Sequence, residues 1–386
     1  MRQTPKPEPV VMKDSQPSAL EALRANVAAP FEAAHAMPKG VYTDPDFLEL
    51  EQRHIFARSW LCAGRAEALP NPGDYLTLTI TGEPVIVLRD REGQLRAMSN
   101  VCRHRMSTLL QGRGNTRAIT CPYHAWTYNL DGSLRGAPAM GQNAAFCKDK
   151  TALPQIRCVD WLGWILVSLN PDAPDPHEQL GGVADLVGYL GMERYTEAFR
   201  EDFTWDTNWK VLAENFMESY HLPVCHSGTI GGTVDLNLMT CPPGEDAFNY
   251  HWIIKNDALD LTLAHPSNTT LTGDQRRTTW LISIYPSLMI TLTPGYFWYL
   301  SLTPLAPGRV QVLFGGGLAP EFTEDPRAAE HLARLKPLLE AVNNEDKGCV
   351  EKVYRGLCAG LSEPGPLSHL ERPNFDFARW IAAQIP

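Results

Sequence analysis

Four residues in the first third of the chain have the types and spacing of a metal centre. Cys102-Arg103-His104 is followed, after sixteen residues, by Cys121-Pro122-Tyr123-His124. Cys102 with Cys121 supplies two thiolates, and His104 with His124 supplies two imidazoles. That division suits a [2Fe–2S] centre with cysteines on one iron and histidines on the other. The rival reading is a structural Cys2His2 zinc site. Classical zinc fingers place both cysteines before both histidines, whereas the order here is Cys, His, Cys, His.

A second group lies in NWKVLAENFMESYHLPVCH, residues 208–226, which contains Glu218-x2-His221-x4-His226. A helix over about 208–221 puts Glu218 and His221 on one face. Pro223 then stops the helix and lets the chain turn His226 back toward the same point. Two imidazoles and one carboxylate bind Fe(II) and leave positions open for oxygen. The carboxylate has to come from elsewhere, and NNEDKGCVEKVYRGL offers Glu345 or Asp346. On a helix over about 338–357 the apolar stripe is Leu338, Val342, Cys349, Val350 and Val353. Asp346 falls inside that stripe and Glu345 at its edge, with access to solvent. A buried carboxylate needs a partner or a metal, so Asp346 is the expected ligand.

These groups need elements to hold them. Residues 1–38 are Pro- and Ala-rich without a strong period and are expected to form a loosely held arm. Asp44 can cap a helix that starts at Pro45, with Leu48, Ile55 and Phe56 facing inward. Short strands follow at 74–80 and 84–90, around a turn at Thr81–Glu83. Another hairpin turns at Asp131–Gly132, and WLGWILVSLN (161–170) is expected as one buried strand. The Pro/Asp-rich stretch 171–178 reads as a surface loop. The second half predicts strands at 247–255, 279–285, 288–293, 296–303 and 309–317. The expected class is α+β. A small antiparallel β domain (39–175, with the leading helix) precedes a larger α+β catalytic domain (176–386), built from an antiparallel sheet with covering helices.

The composition narrows the function. With 386 residues, 44% hydrophobic and 20% charged, the chain can bury a core. A net charge of −10 argues against nucleic-acid binding. No stretch has the length of a membrane helix, and the N-terminus lacks the apolar run of a signal peptide. The nine cysteines are scattered and odd in number, which fits free thiols and metal ligands in a reducing cytoplasm.

From about Pro38 to Leu357 the chain resembles the Rieske non-haem iron oxygenases. The segment NVCRHRMSTLL…TCPYHAWTYNLDGSLRGAP carries the resemblance, together with the Glu218–His226 string and the Glu345-Asp346 pair. Met106 departs from the pattern, because many members have Gly there, and its bulk is expected to alter packing near the cluster. The resemblance implies a Rieske [2Fe–2S] cluster on Cys102, His104, Cys121 and His124, and a mononuclear Fe(II) on His221, His226 and Asp346. It also implies that Glu218 links His221 to His124 of an adjacent subunit, which requires a closed ring such as a homotrimer. Many relatives have Asp at this position. Glu resembles the carnitine and glycine-betaine monooxygenase branch. Electrons would come from a separate NAD(P)H-dependent reductase or ferredoxin, since no GxGxxG follows a strand. The co-substrates would be O2 and a small organic molecule.

Two substrate classes stay open. Aromatics at Trp252, Trp280, Tyr285, Tyr296, Phe297, Trp298 and Tyr299 offer a wall for a quaternary ammonium group, whose hydroxylation or N-demethylation would follow. Arg276 and Arg277 offer a carboxylate clamp, which fits hydroxylation, dihydroxylation or O-demethylation of an aromatic acid. A pure electron carrier is disfavoured by the length of chain beyond residue 175 and by the Glu-x2-His-x4-His string.

Overall fold

The structure, a computed structural model, describes residues 18–255 and 260–386. The expected arm therefore falls partly outside the described residues, and its described part is not loose. Ala19–Val27 is a helix with a Ser18–Glu21 capping box, and Leu23 on it is fully buried. It packs on the C-terminal helix Arg372–Gln384, and Arg24 donates to the Ile385 carbonyl. A proline-rich composition concealed a short capped helix whose apolar contacts lie at the far end of the chain.

The helix Pro45–Glu51 starts where Asp44 and Pro45 place it, with the Asp44 carboxylate accepting the Asp46 N–H. It sits against the helix Trp209–Met217. Glu51 and Lys210, both fully buried, pair at 2.7 Å, and the Trp209 indole N–H donates to Glu51. The Tyr42 hydroxyl donates to Glu214 one turn on. A buried pair of this kind is costly to break from one side, so it fixes the rotation of the helix from which the second group hangs.

Ten strands make the first β unit: β1 (Leu61–Arg65), β2 (Asp74–Ile80), β3 (Glu83–Arg89), β4 (Leu95–Ser99), β5 (Arg113–Asn115), β6 (Ile119–Thr120), β7 (Thr127–Tyr128), β8 (Leu134–Gly136), β9 (Gln155–Trp161) and β10 (Trp164–Ser168). One sheet has the order β1-β10-β9-β4-β3-β2-β5, and β6-β7-β8 forms a small second sheet. The single strand expected over 161–170 is instead the end of β9, a turn and then β10. Leu162 and Gly163 both have positive φ there, and Gly163 lies so close to the Arg65 guanidinium that a Cβ would collide with it.

The second seven-stranded sheet runs β11-β17-β16-β15-β14-β13-β12, all antiparallel. Its strands are β11 (Thr196–Trp205), β12 (Met239–Thr240), β13 (Phe248–Ile254), β14 (Thr278–Ile284), β15 (Leu288–Leu292), β16 (Tyr296–Ala306) and β17 (Arg309–Leu318). The sequence reading missed β11, whose residues TEAFREDFTW carry too many charges to read as a buried strand. The long helix is Ala328–Leu357, ten residues longer than expected, with Pro337 inside it. Pro337 and Ala333, whose carbonyl loses its partner, are both exposed, so water can satisfy the broken turn. Asp346 lies on the buried face of this helix as expected, whereas Val353 is 52% exposed and lies off the stripe. Among the described residues no helix is long and apolar enough to cross a membrane.

Candidate metal centres and their cavity

The cysteine–histidine group sits on two loops of the first β unit that repeat one backbone design. In the first, the Cys102 N–H donates to the Ser107 carbonyl and the Met106 N–H returns to the Cys102 carbonyl. In the second, the Cys121 N–H donates to the Trp126 carbonyl and the Ala125 N–H returns to the Cys121 carbonyl. Met106 and Ala125 occupy equivalent places, and both have φ of +56°. This is the left-handed region in which only Gly is comfortable, which explains a family preference for Gly at the first of them. Met106 does not alter packing as expected. Its side chain is 81% exposed, and its cost lies in the backbone.

Cys102 and Cys121 are buried and free of disulfides. Burial raises the Cys121 thiol, but backbone N–H groups of Tyr123 and His124 outweigh it and the net shift is down, toward thiolate. The Tyr128 hydroxyl lies 3.4 Å from the Cys102 sulfur and accepts the Arg103 N–H. The His104 and His124 rings are 4.7 Å apart, and His104 stacks on Trp126. His104 Nδ1 is buried without a hydrogen-bond partner, and a metal bond would satisfy it. His124 is exposed. Two buried thiols, an orphaned imidazole nitrogen and a second imidazole alongside fit a two-Cys, two-His cluster.

The second group forms differently from the sequence expectation. The helix ends at Met217, and Glu218 is extended at φ −130° and ψ 158°, so Glu218 and His221 do not share a helix face. Glu218 instead bends its carboxylate over the following turn and accepts the N–H groups of Tyr220 and His221. Pro223 does not stop a helix. It lies in the first turn of a new one, Leu222–Cys225, where its missing N–H costs nothing. His221 and His226 thus flank a single turn.

Nε2 of His221 and Nε2 of His226 are 3.2 Å apart, and Asp346 Oδ1 lies 3.4 Å from the first and 3.1 Å from the second. His221, His226 and Asp346 each offer one ligand atom within 4.8 Å of the others, close enough to hold one metal ion. The far side of each ring is fixed. His221 donates from Nδ1 to Glu218 at 2.6 Å, and His226 donates from Nδ1 to Glu345 at 2.9 Å. With both Nδ1 atoms engaged, both Nε2 atoms face one point together with a carboxylate oxygen, an arrangement that a bound cation or protons shared with Asp346 would satisfy. Burial opposes protonation of His221, but Asp346 and Glu218 outweigh it and lift the imidazole to about 10. Burial likewise raises Asp346, but His221 and His226 reverse it and hold the carboxyl at about 2. Three carboxylates around two imidazoles suit a divalent ion.

Several partners had no sequence signal. Asn215 donates to Asp346 at 2.8 Å. Glu345, expected to reach solvent, is held by His226 and by the Thr229 hydroxyl. Ser219 hydrogen-bonds His251, which burial and the nearby His221 push down to about 3, keeping it neutral. Cys225 and Cys349 are joined in a disulfide, contrary to the expectation of free thiols throughout. Cys225 directly precedes His226 and Cys349 lies three residues after Asp346 on its helix, so gathering the ligands brings the two cysteines together too. The other seven cysteines are free.

A cavity opens on the histidine–carboxylate group. Of the seven aromatics expected to wall it, only Tyr296 and Trp298 do, joined by Phe216, which meets Trp298 edge-on at 5.6 Å. Phe297 and Tyr299 point the other way, onto Trp164, by strand alternation. Trp252 stacks on Tyr250 and meets Trp280 at a tilt, and Tyr285 packs on Phe377 and Trp380. Arg276 is taken up by the carbonyls of Ala264, His265, Asn268 and Leu271, and Arg277 by Asp274, so neither forms the expected clamp. Lys255 does line the cavity, and burial pushes its ammonium down to about 8. Glu218 lines both this cavity and an outer groove with Tyr42, Glu214 and Glu371.

Residues 59–157 match the family described as Rieske [2Fe-2S] domain, and residues 192–386 match Ring hydroxylating alpha subunit (catalytic domain). The carnitine monooxygenase oxygenase subunit of Escherichia coli (strain K12) is 34% identical over 59% of this chain. That match spans 65% of the relative, a little under two thirds. The chloroplastic choline monooxygenase of Arabidopsis thaliana is 27% identical over 90% of this chain and 82% of its own length. The solved structure of the quaternary ammonium Rieske monooxygenase CntA in complex with L-carnitine superposes with a TM-score of 0.77, at 26% identity over 93% of this chain and 98% of that one. With a Rieske domain ahead of a catalytic domain that fills its second half, this chain belongs to the ring-hydroxylating alpha-subunit family.

Proposed function

We propose that the chain is the terminal oxygenase of a multicomponent system that monooxygenates a small quaternary ammonium compound, by hydroxylation or N-demethylation. One observation carries the reading: His221, His226 and Asp346 converge at one point beneath a cavity walled by Phe216, Tyr296 and Trp298. The aromatic faces would attract a quaternary ammonium group, which cannot be hydrogen-bonded and binds well to such walls. The similarity to oxygenase subunits named for carnitine and glycine betaine supports the same substrate class.

Cys102, His104, Cys121 and His124 would hold the cluster, and His221, His226 and Asp346 the iron. When bound, the cluster passes electrons singly and the iron activates O2. Glu218 and Glu345 keep the Nδ1 protons of the two histidines in place and so would leave both Nε2 atoms free to bind the iron. Asn215 fixes the Asp346 carboxylate. The apolar walls exclude water from the reacting carbon. Glu218 also faces the outer groove, where exposed His124 of a neighbouring copy would dock, so the active assembly is a closed ring, a homotrimer. A separate NAD(P)H-dependent reductase or ferredoxin supplies the electrons, and the cytoplasm is the matching compartment.

The test is reductase-coupled oxidation of NADH with a panel of quaternary amines and aromatic acids. Substrate-dependent O2 uptake with betaines, with formaldehyde released where an N-methyl is lost, is the expected result. Silence across the betaines with turnover of an aromatic acid would reject the substrate class.

A further inference from the structure

The cavity holds a polar subsite that the metal group does not use. Lys255 is the only lysine or arginine among the described residues that line it, and it is 8% exposed. Its ammonium makes no hydrogen bond or ion pair with any described residue, and burial alone acts on it. An unpaired ammonium in an apolar cavity is unfavourable unless an anion arrives to pair with it. Two further groups share its predicament. The hydroxyls of Thr279 and Thr291 line the same cavity, and each is buried without a hydrogen-bond partner. Native structures rarely leave such donors idle, and where they do a ligand is a common reason.

The sheet register explains why the three belong together. Thr279 lies opposite Ile253 on β13, two residues before Lys255, and Thr291 lies opposite both Leu281 and Trp298. All these side chains therefore project from one face of the sheet. Trp298 and Tyr296 stand on β16 and Lys255 just past the end of β13, three strands away from β16 with β15 and β14 between. The backbone separation is about 14 Å, and the long lysine stem closes part of it. The cavity thus has an aromatic end and a cationic, hydroxyl-lined end.

We propose that Lys255, with the hydroxyls of Thr279 and Thr291, binds the carboxylate of the substrate, so that the enzyme selects carboxylate-bearing molecules over the corresponding alcohols. This deepens the proposed function and rests on it. A zwitterion would place its quaternary nitrogen at Tyr296 and Trp298 and its carboxylate at Lys255, which sets which carbon lies over the histidine–carboxylate group.

The test compares wild type with Lys255→Met, Lys255→Gln and Lys255→Arg. Calorimetric binding and kcat/KM are measured for glycine betaine against choline, and for benzoate against benzyl alcohol. The visible spectrum of the cluster reports that each variant is folded and loaded. The expected result is a loss of about 100-fold in affinity for glycine betaine in Lys255→Met and Lys255→Gln, carried by KM rather than kcat. Choline should change less than about threefold, and Lys255→Arg should recover most of the loss. An equal loss for betaine and choline, or none for either, overturns the subsite. If wild type ignores both amines but binds benzoate, and only benzoate loses affinity in Lys255→Met, the subsite stands and the quaternary-amine reading falls. Failure of wild type to bind either carboxylate overturns both.

Discussion

The cysteine–histidine loops and the histidine–carboxylate group, the two proposed metal sites, have opposite architectures. The first gathers its four residues between 102 and 124, from two loops of one design, and leaves His124 at the surface. The second joins His221 and His226 to Asp346, more than a hundred residues later, and buries the meeting point beneath a cavity. An electron entry port has to be touched by other proteins, whereas an oxygen-activating site has to be shielded from water. The comparison extends to the two carboxylates behind the histidines. Glu218 and Glu345 do the same local work on His221 and His226, but only Glu218 also lines the outer groove. Both should act on metal retention, and Glu218 on electron transfer as well.

The largest effect should come from His221→Ala. It is expected to abolish turnover, at least about 1,000-fold, and to lower iron from three to two atoms per chain with the cluster spectrum unchanged. Retained turnover would show that the buried group is not the oxygen site. Next is Glu218→Ala, which should weaken iron binding as Glu345→Ala does and, in the iron-loaded protein, also slow single-turnover oxidation of the cluster by about 100-fold. Normal oxidation would make Glu218 and Glu345 equivalent and erase the contrast. Glu345→Ala should raise the iron dissociation constant about 10- to 100-fold, read by chelator competition, while cluster oxidation in the iron-loaded protein stays fast. The smallest effect concerns the paired loops. Met106→Gly relieves a positive φ at an exposed position and should stabilise the fold by about 1 kcal/mol, with an unchanged cluster spectrum.

The same contrast explains what the sequence could disclose. The cluster loops are local, so ligand type and spacing carry nearly all the information, and Cys102, His104, Cys121 and His124 fall where the spacing puts them. Asp346 was legible because a carboxylate in an apolar helical stripe is an anomaly. The local path around Glu218 was not, because helical periodicity cannot show that the chain leaves the helix at Met217 and restarts at Leu222. Glu345, Asn215 and Lys255 matter through contacts set by tertiary packing, and no short-range pattern marks them. Strand alternation gave the orientation of Tyr296 and Trp298, but only the sheet order shows that Trp252 and Trp280 lie away from the cavity. Charge-rich β11 and the first ten residues of the long helix, which run through Pro337, lie outside the expected elements because packing overrode local propensity.

The central claim is that the two centres are halves of one circuit completed between chains. Coexpression of a Cys102→Ser chain with a His221→Ala chain, each tagged and the mixed oligomer purified through both tags, tests it directly. Each variant alone should be inactive. The mixed oligomer should regain a substantial fraction of wild-type turnover, because an intact cluster in one chain would face an intact iron site in the next. An intact mixed oligomer with both metals loaded and no turnover would contradict it.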